Sequence, residues 1–376
     1  MGSKVFNKSN LKVAIVSQDD ISVKANPCGS KSYVINLLNH FYEINAEITY
    51  IGTISKQTLL RKKIRKLYSI SKEEISTSKF IIFLLIKLFF IRLTTITIIH
   101  AQKPLEMLPF VFLKNKKILT LHGQELKRVR FKKSELFLFF YIFFERLVLK
   151  KTDKIIAVDK ITKKYYLNEY PWLKGKIHVI PIGIDTYQFR PRDISRIDEK
   201  YINTKTNFTI SFVGRLEPEK NLKFLFNSFK IIQSKVEAVK LLIIGKGSCE
   251  NELKDYATDN SIRNIYFQGE IPNDIIPDLL SYSDVFVLCS LYEGSPTVIK
   301  EALACNTSVV SLDVGDVAEV ISEIEGSFIT KRNIQDFSDR IIEVLLRDEH
   351  FDSREKMLQF NHEEIGKKTV SLYTST

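Results

Sequence analysis

The stretch EGSPTVIKE sets two carboxylates, Glu293 and Glu301, eight residues apart with a turn after the first. Gly294, Ser295 and Pro296 reverse the chain, and the spacing predicts a helix from near Thr297. The first-turn N–H groups of a helix lack partners within it, and with the helix dipole they can bind an anion. Glu293, before the turn, can accept hydrogen bonds from hydroxyls. Glu301, about one turn inside the helix, can do the same, as carboxylates do with a ribose. Two acids flanking an anion site describe a ligand with hydroxyls at both ends and phosphate between: a nucleotide-sugar. Standing alone, the stretch would pass for a surface helix with ordinary acids.

A second pattern supplies cations. In GRLEPEK, Arg215 follows the strand-ending Gly214, and Lys220 comes five residues later, near the next helix. Arg offers a planar fork and Lys a point charge, which together suit a diphosphate. Exposed Arg and Lys are usually only solvated, so this signal is weak by itself. Gly245 and Gly247 flank Lys246 after the following strand, Gly29 lies in the loop after the first strand, and His122 ends ILTLH. A lone histidine at a strand end is more often structural than catalytic; His100, in IIHAQ, is read as structural.

No DxD pair and no Cys/His array has metal-ligand spacing. The adjacent Asp19 and Asp20 read as a turn or solvated pair in an N-terminal loop. Two cations and a helix N-terminus can neutralise a leaving diphosphate without Mg2+. The expectation is therefore an enzyme with no metal and no cofactor, its nucleotide-sugar being a substrate.

These residues need a frame. At 376 residues the chain exceeds one hydrophobic core. Apolar, β-branched runs recur as KVAIVS, EITYIG, TTITIIH, KILTLHG, KIIAVD and KIHVIPIG, then FTISFVG, VKLLIIG, NIYFQG, DVFVLCS and TSVVSLD. Such runs fit strands buried on both faces of a parallel sheet. Stretches with helical spacing, such as LKFLFNSFKIIQ and DFSDRIIEVLLRD, lie between them. Alternation in two series predicts an α/β protein of two doubly wound parallel-sheet domains, with a seam near PIGIDTYQFRPRDISRID. The expected divisions are residues 1–190, 191–360 and a closing helix over 361–376. Ligands of open α/β sheets bind beyond the carboxyl ends of the strands, where all the residues above fall.

Charge divides the chain too. Residues 1–190 hold 34 Lys and Arg against 14 Asp and Glu, whereas residues 191–376 hold 22 against 30. The basic half should seek an anionic surface. It also carries FIIFLLIKLFFIRL from Phe80, flanked by LLRKKIRKLY upstream and KRVRFKKSELFLFFYIFFERLVLKK downstream. The first run is too short and too charged to span a bilayer, so it is expected to be a buried or interfacial helix followed by a strand. Basic clusters beside apolar side chains mark a peripheral membrane contact. The four cysteines lie far apart and read as reduced thiols, and no secretion leader opens the sequence. A cytoplasmic protein on the inner face of the cell membrane is expected. No aromatic-interleaved basic module suggests nucleic acid.

GRLxxxK, then GxG after a strand, then E-x7-E with a turn after its first Glu resembles the family-four retaining glycosyltransferases. VIPIGIDTYQF, LDVGDVAEVI and FNHEEIGKKTVSLY agree with that family's hinge, its D-x-G-G-x-x-E segment and its closing helix. The resemblance implies the GT-B fold, two Rossmann-like domains facing a central cleft. It implies that Arg215 and Lys220 hold the donor diphosphate, Glu301 the ribose and Glu293 the donor sugar. The backbone through Gly294, Ser295, Pro296, Thr297 and Val298 would cradle the distal phosphate and sugar, with Gly245 and Gly247 in the donor loop. Ile271 would lie beside the base, Gly29 would let its loop approach the phosphate, and His122 would sit by the reacting sugar. A UDP-sugar is favoured over a GDP-sugar, with a glycan or lipid-linked acceptor. Departures are Cys28-Gly29-Ser30 for paired glycines, Ile182 for an Asn, and Asn221 and Asn306 for glycines; Asn tolerates positive φ, so both turns should survive. A sugar-nucleotide epimerase of similar build would lack the GRLxxxK and E-x7-E series. A transferase working on a soluble or protein acceptor is the other alternative.

Overall fold

Each apolar run expected to be a strand is one, and every strand pairs in parallel with its neighbours. The computed structural model describes residues 11–21, 29–54, 62–70, 76–88, 95–132, 135–193, 195, 208–349 and 351–375. Cys28, residues 194 and 196–198 of the expected seam together with 199–207 beyond it, and parts of the basic and apolar runs (59–61, 89–93 and 133–134) lie outside the described residues.

The chain divides into two compact units, Met1–Gly183 with His362–Thr376, and Ile184–Asn361. The passage between them falls earlier than residue 190 for a packing reason. Ile184 pairs with Asn361 in a parallel bridge, and both Ile184 and Phe189 are buried in the core of the second unit.

The first unit holds a 7-stranded sheet in the order β3-β2-β1-β4-β5-β6-β7. Its strands are β1 (Lys12–Asp20), β2 (Glu47–Thr53), β3 (Lys66–Ile70), β4 (Ile98–Ala101), β5 (Lys116–Leu121), β6 (Lys154–Ala157) and β7 (Ile177–Val179). Side chains alternate across the sheet as strand geometry requires. Val13 and Ile15 join the core under the helix Gly29–Glu43, whereas Ala14 and Val16 join the core under the helices Thr77–Leu88 and Glu135–Lys151. The closing helix His362–Thr374 packs on Gly29–Glu43, with Gly366 directly beneath the His40 ring. Tyr373 anchors its end: its hydroxyl lies 2.5 Å from His100 Nδ1, and His100 Nε2 is 2.7 Å from Thr120 Oγ1. His100 is thus a buried structural pin, and burial pushes its pKa down to about 3.

The second unit holds a 6-stranded sheet in the order β10-β9-β8-β11-β12-β13. Its strands are β8 (Phe208–Val213), β9 (Val239–Ile244), β10 (Ile265–Gly269), β11 (Val285–Leu288), β12 (Ser308–Leu312) and β13 (Phe328–Thr330). In each sheet the winding reverses beside the first strand, between β1 and β4 and between β8 and β11. That reversal opens a crevice at the carboxyl ends of the strands, where such folds take ligands.

Three features differ from expectation. β3 and β13 are additional strands, each at a sheet edge. β3 begins within the run LLRKKIRKLY, whose charges can stand there because an edge strand is only half-buried. Asp19 and Asp20 are no loop: they end β1, and Asp19 pairs with Lys103 at 3.1 Å. No helix among the described residues is long and apolar enough to cross a membrane.

Candidate active site

The loops leaving β8 and β9 are joined by their backbones. Leu216 N donates to Lys246 O at 3.0 Å, and Cys249 N donates to Leu216 O at 2.9 Å. Ser248 donates through N and Oγ to the Glu217 carboxylate at 3.1 and 2.7 Å. A Cβ at Gly245 would lie 1.9 Å from Gly214 O, and one at Gly247 would lie 2.3 Å from Leu216 O. Glycine is therefore required at both positions by the approach of one loop to the other. Asn221 and Asn306 adopt φ of 56° and 62°, so each turn survives the exchange of Gly for Asn.

This joined loop presents Lys220 to the loop after β11. Lys220 Nζ lies 2.6 Å from Glu293 Oε1, and Ser290 Oγ donates to the same oxygen at 2.7 Å. Leu291 N donates to Glu219 O at 2.8 Å, fixing one loop against the other. Arg215 is more open, with its side chain 66% exposed and Nη2 3.3 Å from Glu219 Oε1.

The helix Thr297–Ala304 begins where expected. Its N-cap is Pro296, and no side chain caps it. Proline has no side-chain acceptor to offer, so the first-turn N–H groups stay uncapped from that side. Thr297 is buried and its hydroxyl hydrogen-bonds Glu301, while Val298 packs on the core. Burial pushes the Glu301 carboxyl up to about 7 against the opposing pull of Thr297 and Lys300. Ile271 sends its side chain into the core, 3% exposed, so only its backbone is available to a base. The Ser295 hydroxyl is engaged in a buried network with Lys300 and Asp316.

In the first unit Gly29 is the first residue of its helix. His122, just past β5, receives a T-shaped contact from Tyr33 at 5.1 Å between centroids. Its Nε2 lies 3.0 Å from Gln102 Oε1, which makes Nε2 the donor. Nδ1 is buried with no hydrogen-bond partner among the described residues. Burial holds the His122 pKa down, at about 4, although Asp19 pulls it the other way. The charges acting on the ring are Asp19 and Lys103, and Lys103 in turn is drawn by Glu106. Glu106 accepts from Gln18 N at 2.9 Å and Gln102 N at 3.0 Å, bridging the ends of β1 and β4, and burial lifts it to about 7.

Lys220, Glu293, Ser295, Thr297 and Glu301 are thus brought together at the reversal point of the second sheet, with Arg215 at its rim. His122 follows β5, one strand from the reversal point of the first sheet, and its ring meets Gln102 just past β4. Sequence reasoning missed Ser290, Lys300, Asp316, Gln102, Lys103 and Glu106. Gln102 and Lys103 directly follow β4, so their position after a central strand was the available signal. Among the described residues one group has metal-ligand geometry, Glu43, His362 and Glu363, with ligand atoms within 4.8 Å of one another. None of the expected donor residues belongs to it.

Two family models match this chain: Glycosyltransferase Family 4 over residues 28–188 and Glycosyl transferases group 1 over residues 193–363. The chain belongs to glycosyltransferase family four. Among its relatives is the Escherichia coli UDP-Gal:alpha-D-GlcNAc-diphosphoundecaprenol alpha-1,3-galactosyltransferase, 31% identical over 231 residues, covering 60% of this chain and 59% of that one. Another is the Staphylococcus aureus capsular polysaccharide biosynthesis glycosyltransferase CapM, 30% identical over 62% of this chain and 61% of its own. The match spans about three fifths of the length of both relatives. The family-four fold is GT-B. Sucrose-phosphate synthase from Thermosynechococcus elongatus superposes with a TM-score of 0.76 at 16% identity, covering 96% of this chain and 98% of that one. Anabaena HepE, solved with UDP and glucose, superposes with a TM-score of 0.73 at 15% identity, covering 97% and 100%.

Proposed function

We propose that this family-four protein is a retaining, metal-independent glycosyltransferase. It moves a sugar from a nucleoside-diphosphate sugar to a lipid-linked or cell-surface glycan acceptor at the cytoplasmic face of the membrane. The observation that carries this reading is the Lys220–Glu293 contact beside the uncapped helix N-terminus at Thr297. A cation, a hydroxyl acceptor and a helix N-terminus that no side chain caps then meet at one strand-end crevice. Lys220 and Arg215 would neutralise the diphosphate. Glu293 would accept from the sugar through Oε2, since both its contacts fall on Oε1. Glu301 would take the ribose hydroxyls.

In the reaction the bond from the anomeric carbon to the phosphate oxygen breaks and a bond to the acceptor oxygen forms on the same face. The acceptor proton passes to the departing phosphate, so no carboxylate nucleophile is needed. His122, with its Nδ1 lone pair available, serves the sugar. UDP is favoured because the E. coli relative is named for UDP-Gal and HepE was solved with UDP.

The membrane side of the reading rests on the first unit. Ile82, Leu85 and Ile86 of the helix Thr77–Leu88 are exposed, as are Leu136, Phe139, Phe140 and Phe143 of the helix Glu135–Lys151. Both helices pack on the short helix Pro104–Met107, and Phe112 is exposed just beyond it. An apolar surface of this extent on a basic unit suits a bilayer interface. The test is a nucleotide-release screen across UDP-, GDP- and ADP-sugars with membrane extract as the acceptor source. Release from a UDP-sugar that depends on the extract supports the reading; none from any donor overturns it.

A further inference from the structure

Behind the turn that follows Glu293 lies an ion pair to which no donor role has been given. Lys300 Nζ is 2.9 Å from Asp316 Oδ2, the lysine wholly buried and the aspartate 6% exposed. Ser295 Oγ stands between them, donating to Asp316 Oδ2 at 2.6 Å and accepting from Lys300 Nζ at 2.8 Å. Lys300 also lies over the Phe360 ring, 4.9 Å from its centroid. The loop that carries Asp316 grips the backbone of the turn as well. Asp316 N donates to Gly294 O at 3.1 Å. Gly315, at φ 56°, comes so near that a Cβ there would lie 2.0 Å from the same oxygen.

Consecutive residues on a helix point about 100° apart. Lys300 therefore faces inward where Glu301, its neighbour, serves the ligand side. Removing two charges from water is costly, and well-packed apolar side chains can usually replace such a pair without loss of stability. A turn needing only to reverse the chain has no use for it. What this pair adds is direction: it fixes Ser295 by its hydroxyl while the same loop fixes Gly294 by its carbonyl.

We propose that Lys300 and Asp316 are positioning residues of the donor site. Joined through Ser295 Oγ, they hold the turn from Glu293 to Thr297 in the shape that aims the first-turn N–H groups at a phosphate and Glu293 at a sugar. The identity of that ligand rests on the glycosyl-transfer reading above; the clamp itself can be tested without any donor.

The informative variant is the double substitution Lys300→Met with Asp316→Leu, which removes both charges and leaves neither buried alone. Ser295→Ala, which keeps the pair and removes its link to the turn, is the second. Amide hydrogen exchange is followed by mass spectrometry in the ligand-free protein, and UDP binding by calorimetry. In both variants exchange should rise by about tenfold in peptides covering Glu293–Val298 while β8, β9 and β10 keep their protection. UDP affinity should fall by about tenfold, as expected when donors are retained but misaligned. Unchanged exchange and affinity in a folded double variant would overturn the proposal. So would loss of protection throughout the second unit together with unaltered exchange in Ser295→Ala, which would make the pair a general stabiliser. If the unaltered protein binds neither UDP nor GDP, the glycosyl-transfer reading falls, and the exchange data alone decide the clamp.

Discussion

Lys220 Nζ and Glu293 Oε1 lie 2.6 Å apart, one side chain from the loop after β8 and the other from the loop after β11. The expected diphosphate cation and the expected sugar acid are therefore one coupled pair. A donor arriving between them must draw on Lys220 while Glu293 keeps its second oxygen for a hydroxyl. Lys220→Ala should weaken UDP binding by roughly 1.5–3 kcal/mol, the range for hydrogen bonds to charged groups. Glu293→Gln should lower turnover more than UDP affinity if, as proposed, it meets the sugar. The two changes should be non-additive in a double-mutant cycle. Additive losses measured by calorimetry would separate the roles again.

Glu301 should make donor binding depend on pH. Its carboxyl is raised to about 7 by burial, so in the folded, ligand-free protein it gives up its proton only near neutrality. The unfolded chain binds fewer protons between the ordinary carboxyl value and 7, so this residue's share of stability is present below that window and is lost as pH rises through it. A ribose needs the ionised acceptor. Donor affinity should therefore rise from pH 6 to pH 8, and binding should release a proton, read as a calorimetric enthalpy that varies with the buffer. Glu301→Gln should abolish that dependence, and Glu301→Ala should cost roughly 1.5–3 kcal/mol of affinity. An identical pH profile in the Gln variant would remove Glu301 from the ribose site.

His122 should stay neutral across the working range. With its pKa lowered to about 4 by burial, it contributes stability above its ordinary value that is lost as pH falls from there towards 4. An acidic limb in turnover above pH 5 should therefore persist in His122→Asn. Gln102→Ala, which frees the ring Nε2, should lower turnover by about tenfold, the scale of one lost hydrogen bond, and leave UDP affinity unchanged. Ring proton shifts followed by NMR from pH 4 to 8 check the protonation state directly.

How far the sequence discloses this site depends on what each residue is next to. The central strands are legible because they are buried on both faces and carry continuous apolar runs, as VKLLII does in β9. β3 and β13 are not, because an edge strand is covered incompletely; KLYSI is half-buried along its whole length. Arg215, Lys220, Glu293 and Glu301 are legible because their types and spacing describe one ligand. Gly245 and Gly247 are legible as a motif, but their reason is the backbone of Gly214–Leu216, which no local pattern shows. Asp316 is fifteen residues beyond Glu301 and meets Lys300 only through the fold. Asp19 looks like a solvated turn residue until β4 brings Lys103 beside it.

Chelation should matter little. On the proposed reading, Arg215, Lys220 and the N-terminus of the helix Thr297–Ala304 would supply the positive field that a leaving diphosphate needs. EDTA should leave turnover within about twofold on that account. Abolition of activity, restored by Mg2+, would replace the metal-independent mechanism with a metal-assisted one.

The apolar surface of the first unit should govern membrane binding more than its lysines do. Of the basic run before β4, Arg65 is held 2.7 Å from Glu47, and Lys63 donates to Asn39 at 3.1 Å. Each cation near an anionic leaflet adds roughly 1 kcal/mol and fades within a Debye length. Lys62, Lys63, Arg65 and Lys66 changed together to Ser should therefore weaken binding to anionic vesicles, and high salt should imitate that in part. Phe139, Phe140 and Phe143 stand exposed on one helix, and fully burying such a side chain is worth roughly 1.5–3 kcal/mol. Changing those three to Ser should release the protein from neutral and anionic vesicles alike, by two orders of magnitude or so if each is only half inserted. UDP affinity should be retained in both variants, because Arg215, Lys220, Glu293 and Glu301, proposed to hold the donor, belong to the second unit. Co-sedimentation with vesicles of each composition separates the two contributions. Should the unaltered protein fail to sediment with anionic vesicles, the exposed phenylalanines serve another partner, and a soluble acceptor becomes the leading reading.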